Sequence, residues 1–168
     1  MAKRNITTND QKKCSFEPTI SGKQLFVYNK PIFRFFERVF DHPPGNQSRW
    51  GTPTIIKNAS TNIKNSYIRG FFDTDGVISM KDFKLGFVQK NKESLEFIKN
   101  ELEMQGISCG SILKDRNIFR FWICAKKSVL RFIKIIGTMH PAKKGKLEKF
   151  VYQLNSDQKG TLAGFRTV

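Results

Sequence analysis

Ile68-Arg69-Gly70-Phe71-Phe72-Asp73-Thr74-Asp75-Gly76 decides how this chain is read. The stretch has the pattern of a helix ending in two carboxylates and a glycine. Ile63, Tyr67 and Phe71 fall on one side of it, with Ile68 and Phe72 beside them. Ser60 and Thr61 each suit its N-cap. Gly76 is read as the positive-φ residue that stops it. Ser66, Gly70 and Thr74 recur at i, i+4 and i+8, so one helix face is almost bare. Such a face admits close approach of another helix backbone. The stripe leads directly to Asp75, which suggests a site assembled between two helix tips.

The flanking sequence builds an α+β arrangement around that helix. Val77 to Lys81 reads as a strand, and Asp82 as a turn. In Phe83–Lys90, Phe83, Leu85 and Phe87 alternate with Lys84, Gly86 and Val88, giving a half-buried hairpin. Asn91 is placed to cap a helix whose inward positions are Leu95, Ile98 and Leu102, with Gly106 as its stop. A second hairpin is expected from Ile107 to Ala125, turning at Asp115-Arg116-Asn117. In it Phe119, Phe121 and Ile123 alternate with Arg120, Trp122 and Cys124. Val129, Phe132, Ile133 and Ile136 mark a helix ending at Gly137. Pro141 opens another, carrying Leu147, Phe150, Val151 and Leu154.

Three parts result: an N-terminal arm with a strand-helix extension over 1–59, a core over 60–154, and a loose polar tail over 155–168. The extension has a strand at Gln24–Tyr28 and a helix opened by Pro31, with Ile32, Phe35, Phe36 and Val39 on one face. His42-Pro43-Pro44-Gly45 stops that helix. Those four apolar residues fall on Val129, Phe132, Ile133 and Ile136 at a constant offset, so 25–43 echoes 122–141. Either any strand plus amphipathic helix gives such an echo, or the segment is the remnant of an earlier copy. Only one acid-bearing helix is visible in either case.

Composition narrows the function classes. The 168 residues hold 30 Lys+Arg against 14 Asp+Glu, a net charge of +16, which points to a polyanionic partner, foremost nucleic acid. Sixteen phenylalanines supply a core. Cys14, Cys109 and Cys124 form no CxxC pair, and His42 and His140 are far apart, so disulfides and His-based metal sites are not expected. No apolar run is long enough to span a membrane and no secretory signal is visible, so an intracellular location, cytoplasmic or organellar, is expected.

The order helix-strand-strand-helix-strand-strand-helix, the basic excess and Ile68–Gly76 together resemble the LAGLIDADG homing endonucleases. Gly70, Asp73, Asp75 and Gly76 match the motif, and Ile68, Phe71 and Phe72 are apolar equivalents. Gln89-Lys90-Asn91 before a Leu/Ile helix and the basic segment after His140-Pro141 are also similar. The resemblance spans about 60–154. Arg69 departs from the motif's alanine and should face away from the bare stripe.

The resemblance implies an αββαββα fold with an antiparallel DNA-binding sheet. It also implies a homodimer packed through Ser66, Gly70 and Thr74. The implied activity is Mg²⁺-dependent (or Mn²⁺-dependent) hydrolysis of double-stranded DNA at a long near-palindromic target. The cut would leave 3′ overhangs and serve intron or intein mobility. Asp75 is then the metal-binding acid, with the Thr74 carbonyl a further ligand, because oxygen donors suit Mg²⁺. Asp73 points to another side of the helix and reads as structural. Gln89, or Lys90 if the register slips by one, is implied as the polar residue that orders water. Lys143 and Lys144 are favoured, over Lys146, as the basic residue completing the site.

DNA contact is expected from the sheet face opposite the phenylalanines, with Ser79, Lys81, Lys84, Lys90, Lys114, Arg116, Arg120 and Trp122 as candidates. An RNA maturase or a non-cleaving regulator on the same fold is the main alternative. A generic basic RNA-binding domain is another. Retention of Asp75 and Gly76 argues for the nuclease, and the bare stripe would lack a purpose in a generic binder.

Overall fold

The computed structural model describes residues 30–41 and 47–163. Readings that concern residues 1–29, 42–46 and 164–168, including the Gln24–Tyr28 strand and the His42–Gly45 stop, lie outside the described residues. The described elements are α1 (Lys30–Val39), α2 (Thr54–Lys57), α3 (Thr61–Asp75), β1 (Val77–Ser79), β2 (Lys84–Gln89), α4 (Lys92–Met104), β3 (Leu113–Asp115), β4 (Ile118–Ile123), α5 (Lys126–Ile135) and α6 (Pro141–Ala163). From α3 onward this is the expected α+β order, with a four-stranded antiparallel sheet arranged β1-β2-β4-β3.

Strand alternation produces the layering. Leu85, Phe87, Phe121 and Ile123 point to one face and are fully buried. Ile68 and Phe72 of α3, Leu95, Ile98 and Leu102 of α4, Val129 and Phe132 of α5, and Leu147 and Phe150 of α6 close over them. Paired Phe87 and Phe121 stack with ring centroids 5.1 Å apart. Phe72 meets Phe132 edge-on at 4.9 Å and Phe87 at 5.5 Å. These aromatic contacts fix the C-terminal end of α3 against the sheet, so the Asp73–Asp75 segment is held by core packing.

Polar ties set the depth of α3. Arg69 Nε donates to the Ile136 carbonyl at 2.6 Å, linking α3 to the end of α5. Lys64 pairs with the nearly buried Glu101 of α4 at 2.7 Å, and Gln105 Nε2 donates to Asn65 Oδ1 at 2.9 Å. Burying Glu101 without Lys64 would leave an uncompensated charge. Asn91 caps α4 as read, its Oδ1 accepting from Ser94 N–H at 2.9 Å. Gly106 and Gly137 take positive φ at the ends of α4 and α5.

Several boundaries differ from the sequence reading. Gly76 has φ −69 and ψ 144, so it does not provide a left-handed stop. Its need is spatial: a Cβ there would lie 2.3 Å from Phe72 Cδ2 and 2.4 Å from the Phe72 carbonyl oxygen. β1 ends at Ser79 rather than Lys81, because Ser79 Oγ donates to Asp82 at 3.0 Å and closes the turn. Phe83 and Arg116 take positive φ at the two hairpin turns without being glycine. Residues 107–112 lie outside the strands; Gly110 N–H alone reaches back to the Trp122 carbonyl at 2.8 Å. α6 continues to Ala163, so the backbone of 155–163 is helical where a loose tail was expected.

α1 and α5 are each ten residues long, as the echo requires, but their surroundings differ. Phe132 is fully buried, whereas its counterpart Phe35 is 53% exposed and packs with Phe36 and Phe40.

Candidate active site

The candidate site is built where α3 ends beside the edge of the sheet. Helix termination leaves carbonyls without partners. Here the Phe72 carbonyl accepts from Gly76 N–H at 3.0 Å, and Lys143 reaches over from the first turn of α6 to the same helix end. Its Nζ donates to the Phe72 carbonyl at 2.5 Å and the Asp73 carbonyl at 2.9 Å, with Thr74 O at 3.5 Å. The ammonium also sits 5.3 Å from the Phe72 ring centroid. Partial burial pushes the Lys143 pKa down, and the Asp73 and Asp75 carboxylates oppose that shift. A cation therefore sits at the negative end of the α3 dipole, beside the motif acids.

The two acids part as their 200° separation around the helix requires. Asp73 turns inward to the α5–α6 connection. Thr138 Oγ1 donates to its Oδ1, and Met139 N–H lies 3.1 Å from Oδ2 and 3.3 Å from Oδ1. Desolvation raises its pKa, but the hydrogen bonds from Thr138, Met139 and His140, with the Lys143 charge, outweigh it and leave the value below the ordinary 3.8. This is the structural role expected of Asp73.

A pH dependence follows from that depression. The contribution of Asp73 is complete above the ordinary pKa and is lost as pH falls through the lowered native value. Asp73→Asn should cost about 1 kcal/mol at neutral pH, the scale of a partly exposed hydrogen-bonded carboxylate. It should also flatten the acid limb of stability below about pH 4. Urea unfolding at stepped pH checks both, and parallel acid limbs for the two proteins would count against the assignment.

Asp75 is exposed at the helix end and lines a cavity of about 330 Å³ with Val77, Val88, Gln89, Lys90 and Ile118. The fold thus brings Asp75, Gln89 and Lys90 to one concavity, and Lys143 to the same helix end. Gln89 and Lys90 are adjacent in a tight arrangement, with Lys90 N–H donating to Gln89 Oε1 at 2.7 Å. Lys144 stands apart. It lines a groove with Ile133, Gly137, Thr138, Leu147, Glu148 and Val151 on another side of α6. The oxygen donors at the site are the Asp75 carboxylate and the Thr74 carbonyl, which is the least engaged of the three that Lys143 approaches. Among the described residues, no group of three or more His, Cys, Asp or Glu is placed to hold a metal ion.

The sheet face opposite the core carries four of the eight predicted DNA-contact residues: Ser79, Lys84, Arg120 and Trp122. Registered pairs Val77↔Gly86↔Trp122, Ser79↔Lys84 and Val88↔Arg120↔Leu113 share that open face. Lys114 does not: it pairs with Phe119, whose partner is Gln89, and so has the parity of the core face. Lys114 instead lines a groove beside the sheet with Ser48, Lys90, Asn117 and Phe119. The 3-10 turn at Gln47–Arg49, which contributes Ser48 to this groove, and the following Trp50 are docked on the start of α4. Asn91 Nδ2 donates to Ser48 O at 2.8 Å, and Ser94 Oγ to Trp50 O at 3.0 Å. Lys81 and Arg116 are exposed at the hairpin turns.

Three of the expected readers already face carboxylates. Lys84 pairs with Asp82 at 2.9 Å, Ser79 donates to the same carboxylate, and Arg120 pairs with Asp115 at 3.2 Å. Trp122 lies across Gly86, where a Cβ would be 2.6 Å from its ring, and Lys84 Nζ sits 4.7 Å from the indole centroid. Sequence reading missed Val77, Val88 and Ile118 as lining of the Asp75 cavity. Their signal was the period-2 alternation that also placed Lys84 and Trp122. Thr138 and the docked loop had no local signal.

The stripe residues Ser66, Gly70 and Thr74 are all exposed. A Cβ on Gly70 would meet nothing within 4 Å, and Ile63 is also half exposed. Ser66 and Thr74 turn their hydroxyls back onto their own helix, to Asn62 O at 3.0 Å and Phe71 O at 3.1 Å. The stripe is therefore smooth as well as small. No helix among the described residues is long and apolar enough to cross a membrane.

Residues 62–137 match the LAGLIDADG-like domain, a span running from α3 through α5. Over 153 residues the chain is 29% identical to homing endonuclease I-ApeI of Aeropyrum pernix, a match covering 88% of this chain. It spans 66% of that relative's length. Among solved structures it is similar to full-length DUF199/WhiA from Thermatoga maritima, with a TM-score of 0.46 and 21% identity, over 62% of this chain and 39% of that one. Gly70, Asp73, Asp75 and Gly76 all fall inside the matched span, so the stretch that closes α3 lies in the part of the chain that is similar to the LAGLIDADG-like domain.

Proposed function

We propose that the protein is a homodimeric, site-specific homing endonuclease that cleaves double-stranded DNA. The observation that carries this reading is the continuity of two features on α3. An exposed bare face, with open space at Gly70, runs directly into the exposed Asp75. Two copies meeting across a two-fold axis through that face would set their Asp75 carboxylates side by side. The similarity to a homing endonuclease and the +16 charge support a DNA substrate.

The donor set fits Mg²⁺ or Mn²⁺: a carboxylate and a backbone carbonyl, both oxygen, with no thiol or imidazole required. One chain offers few ligands, so a second Asp75 from a partner copy would add to the donor set. When bound, the cation supplies an activated water and charge neutralisation at phosphorus. Asp75 and the Thr74 carbonyl would hold it. Gln89 orients water within the same cavity. Lys143 fixes the α3 end and places positive charge beside the scissile phosphate; its geometry makes it a better candidate than Lys144 for the lysine of the site. The products are cohesive ends with 3′ overhangs, and the biological role is intron or intein mobility inside the cell.

The test is selection of cleaved sites from a randomised duplex pool in Mg²⁺, with EDTA as control. A single near-palindromic consensus cut only in Mg²⁺ is expected. Binding to structured RNA with no duplex cut under any divalent cation would replace this reading with the maturase.

A further inference from the structure

The open face of the sheet is more apolar than a guanine-reading surface needs to be. Val77 is 39% exposed and Leu113 is 55% exposed, and both point to this face by their pairing with Gly86 and Arg120. Val88, Ile118 and Trp122 are half-buried on the same face. Val77, Val88 and Ile118 also line the cavity that holds Asp75. Meanwhile the face's two central cations are each paired with a carboxylate, Lys84 with Asp82 in the β1–β2 turn and Arg120 with Asp115 at the end of β3. Arg120 is further constrained, since its Nε is buried and without a hydrogen-bond partner among the described residues.

We infer that this face reads thymine C5-methyl groups through Val77, Val88, Leu113, Ile118 and Trp122, so that target specificity near the cut rests on apolar contact more than on Arg–guanine pairing. The inference rests on the DNA-cleavage reading above and names the determinant by which that same site selects sequence. In the major groove a thymine differs from every other base in presenting a methyl group, and apolar side chains recognise it. Asp82 and Asp115 work in the same direction. Each neutralises a cation and engages its donors, which leaves fewer donors for the acceptor-rich edge of guanine. Trp122 has the most fixed position, because its ring is flattened on Gly86 and covered by Lys84.

Deoxyuridine tests this directly, since it pairs as thymidine does but lacks the methyl. A randomised duplex pool is prepared once with thymidine and once with deoxyuridine, and retained duplexes are sequenced after binding at low salt in EDTA. The thymidine pool should yield sites rich in A·T pairs on either side of the centre. Remaking those sites with deoxyuridine should weaken binding about three- to fourfold per contacted methyl, the scale of one buried CH₂ group. Leu113→Ala, at an exposed position that the core does not use, should lower the ratio of thymidine-duplex to deoxyuridine-duplex affinity. Equal affinity for the thymidine and deoxyuridine forms of a selected site would overturn the inference and leave the endonuclease reading intact. Failure to retain any duplex would overturn both.

Discussion

Asp75→Asn is expected to remove cleavage while leaving duplex binding within about twofold. The substitution keeps size and shape and deletes one charge. Asp75 is exposed and is not part of the buried core, so stability should move by no more than about 0.5 kcal/mol. The chemical loss is much larger. Holding a cation at the scissile phosphate contributes several kcal/mol of charge stabilisation, which corresponds to a rate loss on the order of 10³-fold or more. In a homodimer the substitution removes both carboxylates at once. Gel assays of a selected site in Mg²⁺, with filter binding in EDTA, separate the two effects. Cleavage at more than about a tenth of the normal rate would remove Asp75 from the site. The neighbouring acid gives a built-in contrast. Asp73 is tied to Thr138 and Met139, so its substitution should register in stability before it registers in chemistry.

Much of this arrangement was legible because it depends on local periodicity. The alternation in Leu85–Phe87 and Phe121–Ile123 fixed which sheet face is buried, and the structure buries all four residues fully. The Asn91 cap and the Gly106 and Gly137 stops were readable because each is decided within one helical turn. What failed depends on partners distant in sequence or on exact backbone geometry. Gly76 was assigned a left-handed turn because glycine at a helix end usually takes one. Its constraint comes instead from the Phe72 ring and carbonyl four residues back. Lys114 is expected on the face opposite the phenylalanines, but the three-residue β3 gives it the parity of Phe119.

The site shows the same division. Motif spacing gave Asp75 its position at the end of α3. It could not rank Lys143 and Lys144, because neighbouring residues on a helix diverge by about 100° and only the packing of α6 against α3 shows which one returns to the Phe72 and Asp73 carbonyls. Strand alternation puts Lys84 and Arg120 on the DNA-reading face but does not show that Asp82 and Asp115 accompany them. Acidic residues at tight turns are ordinarily read as turn formers, so their second effect on the sheet face was hidden.

Gly70→Leu should leave the folded chain intact and break the dimer. In a single chain the position is open: a Cβ meets nothing within 4 Å, and the residue lies mid-helix on the exposed side of α3. Exchanging glycine for leucine in a helix interior gains about 0.8 kcal/mol in helix propensity, so the melting temperature of the chain should hold or rise. Across a two-fold axis the same change is counted twice, and two leucines meet where two bare backbones would have touched. Helices in contact through small residues approach to about 8 Å, and bulky residues push them toward about 10 Å. That separation is enough to part the two Asp75 tips, so cleavage should fall by at least about 10²-fold, as catalytic geometry misplaced by about 1 Å does. Light scattering should give the mass of one chain at micromolar concentration, while thermal unfolding stays cooperative. Opposite signs for fold and assembly make the result specific, because a merely destabilising substitution would lower both. A Gly70→Leu protein that stays dimeric and cuts its site at the normal rate would show that the copies do not meet through Ser66, Gly70 and Thr74.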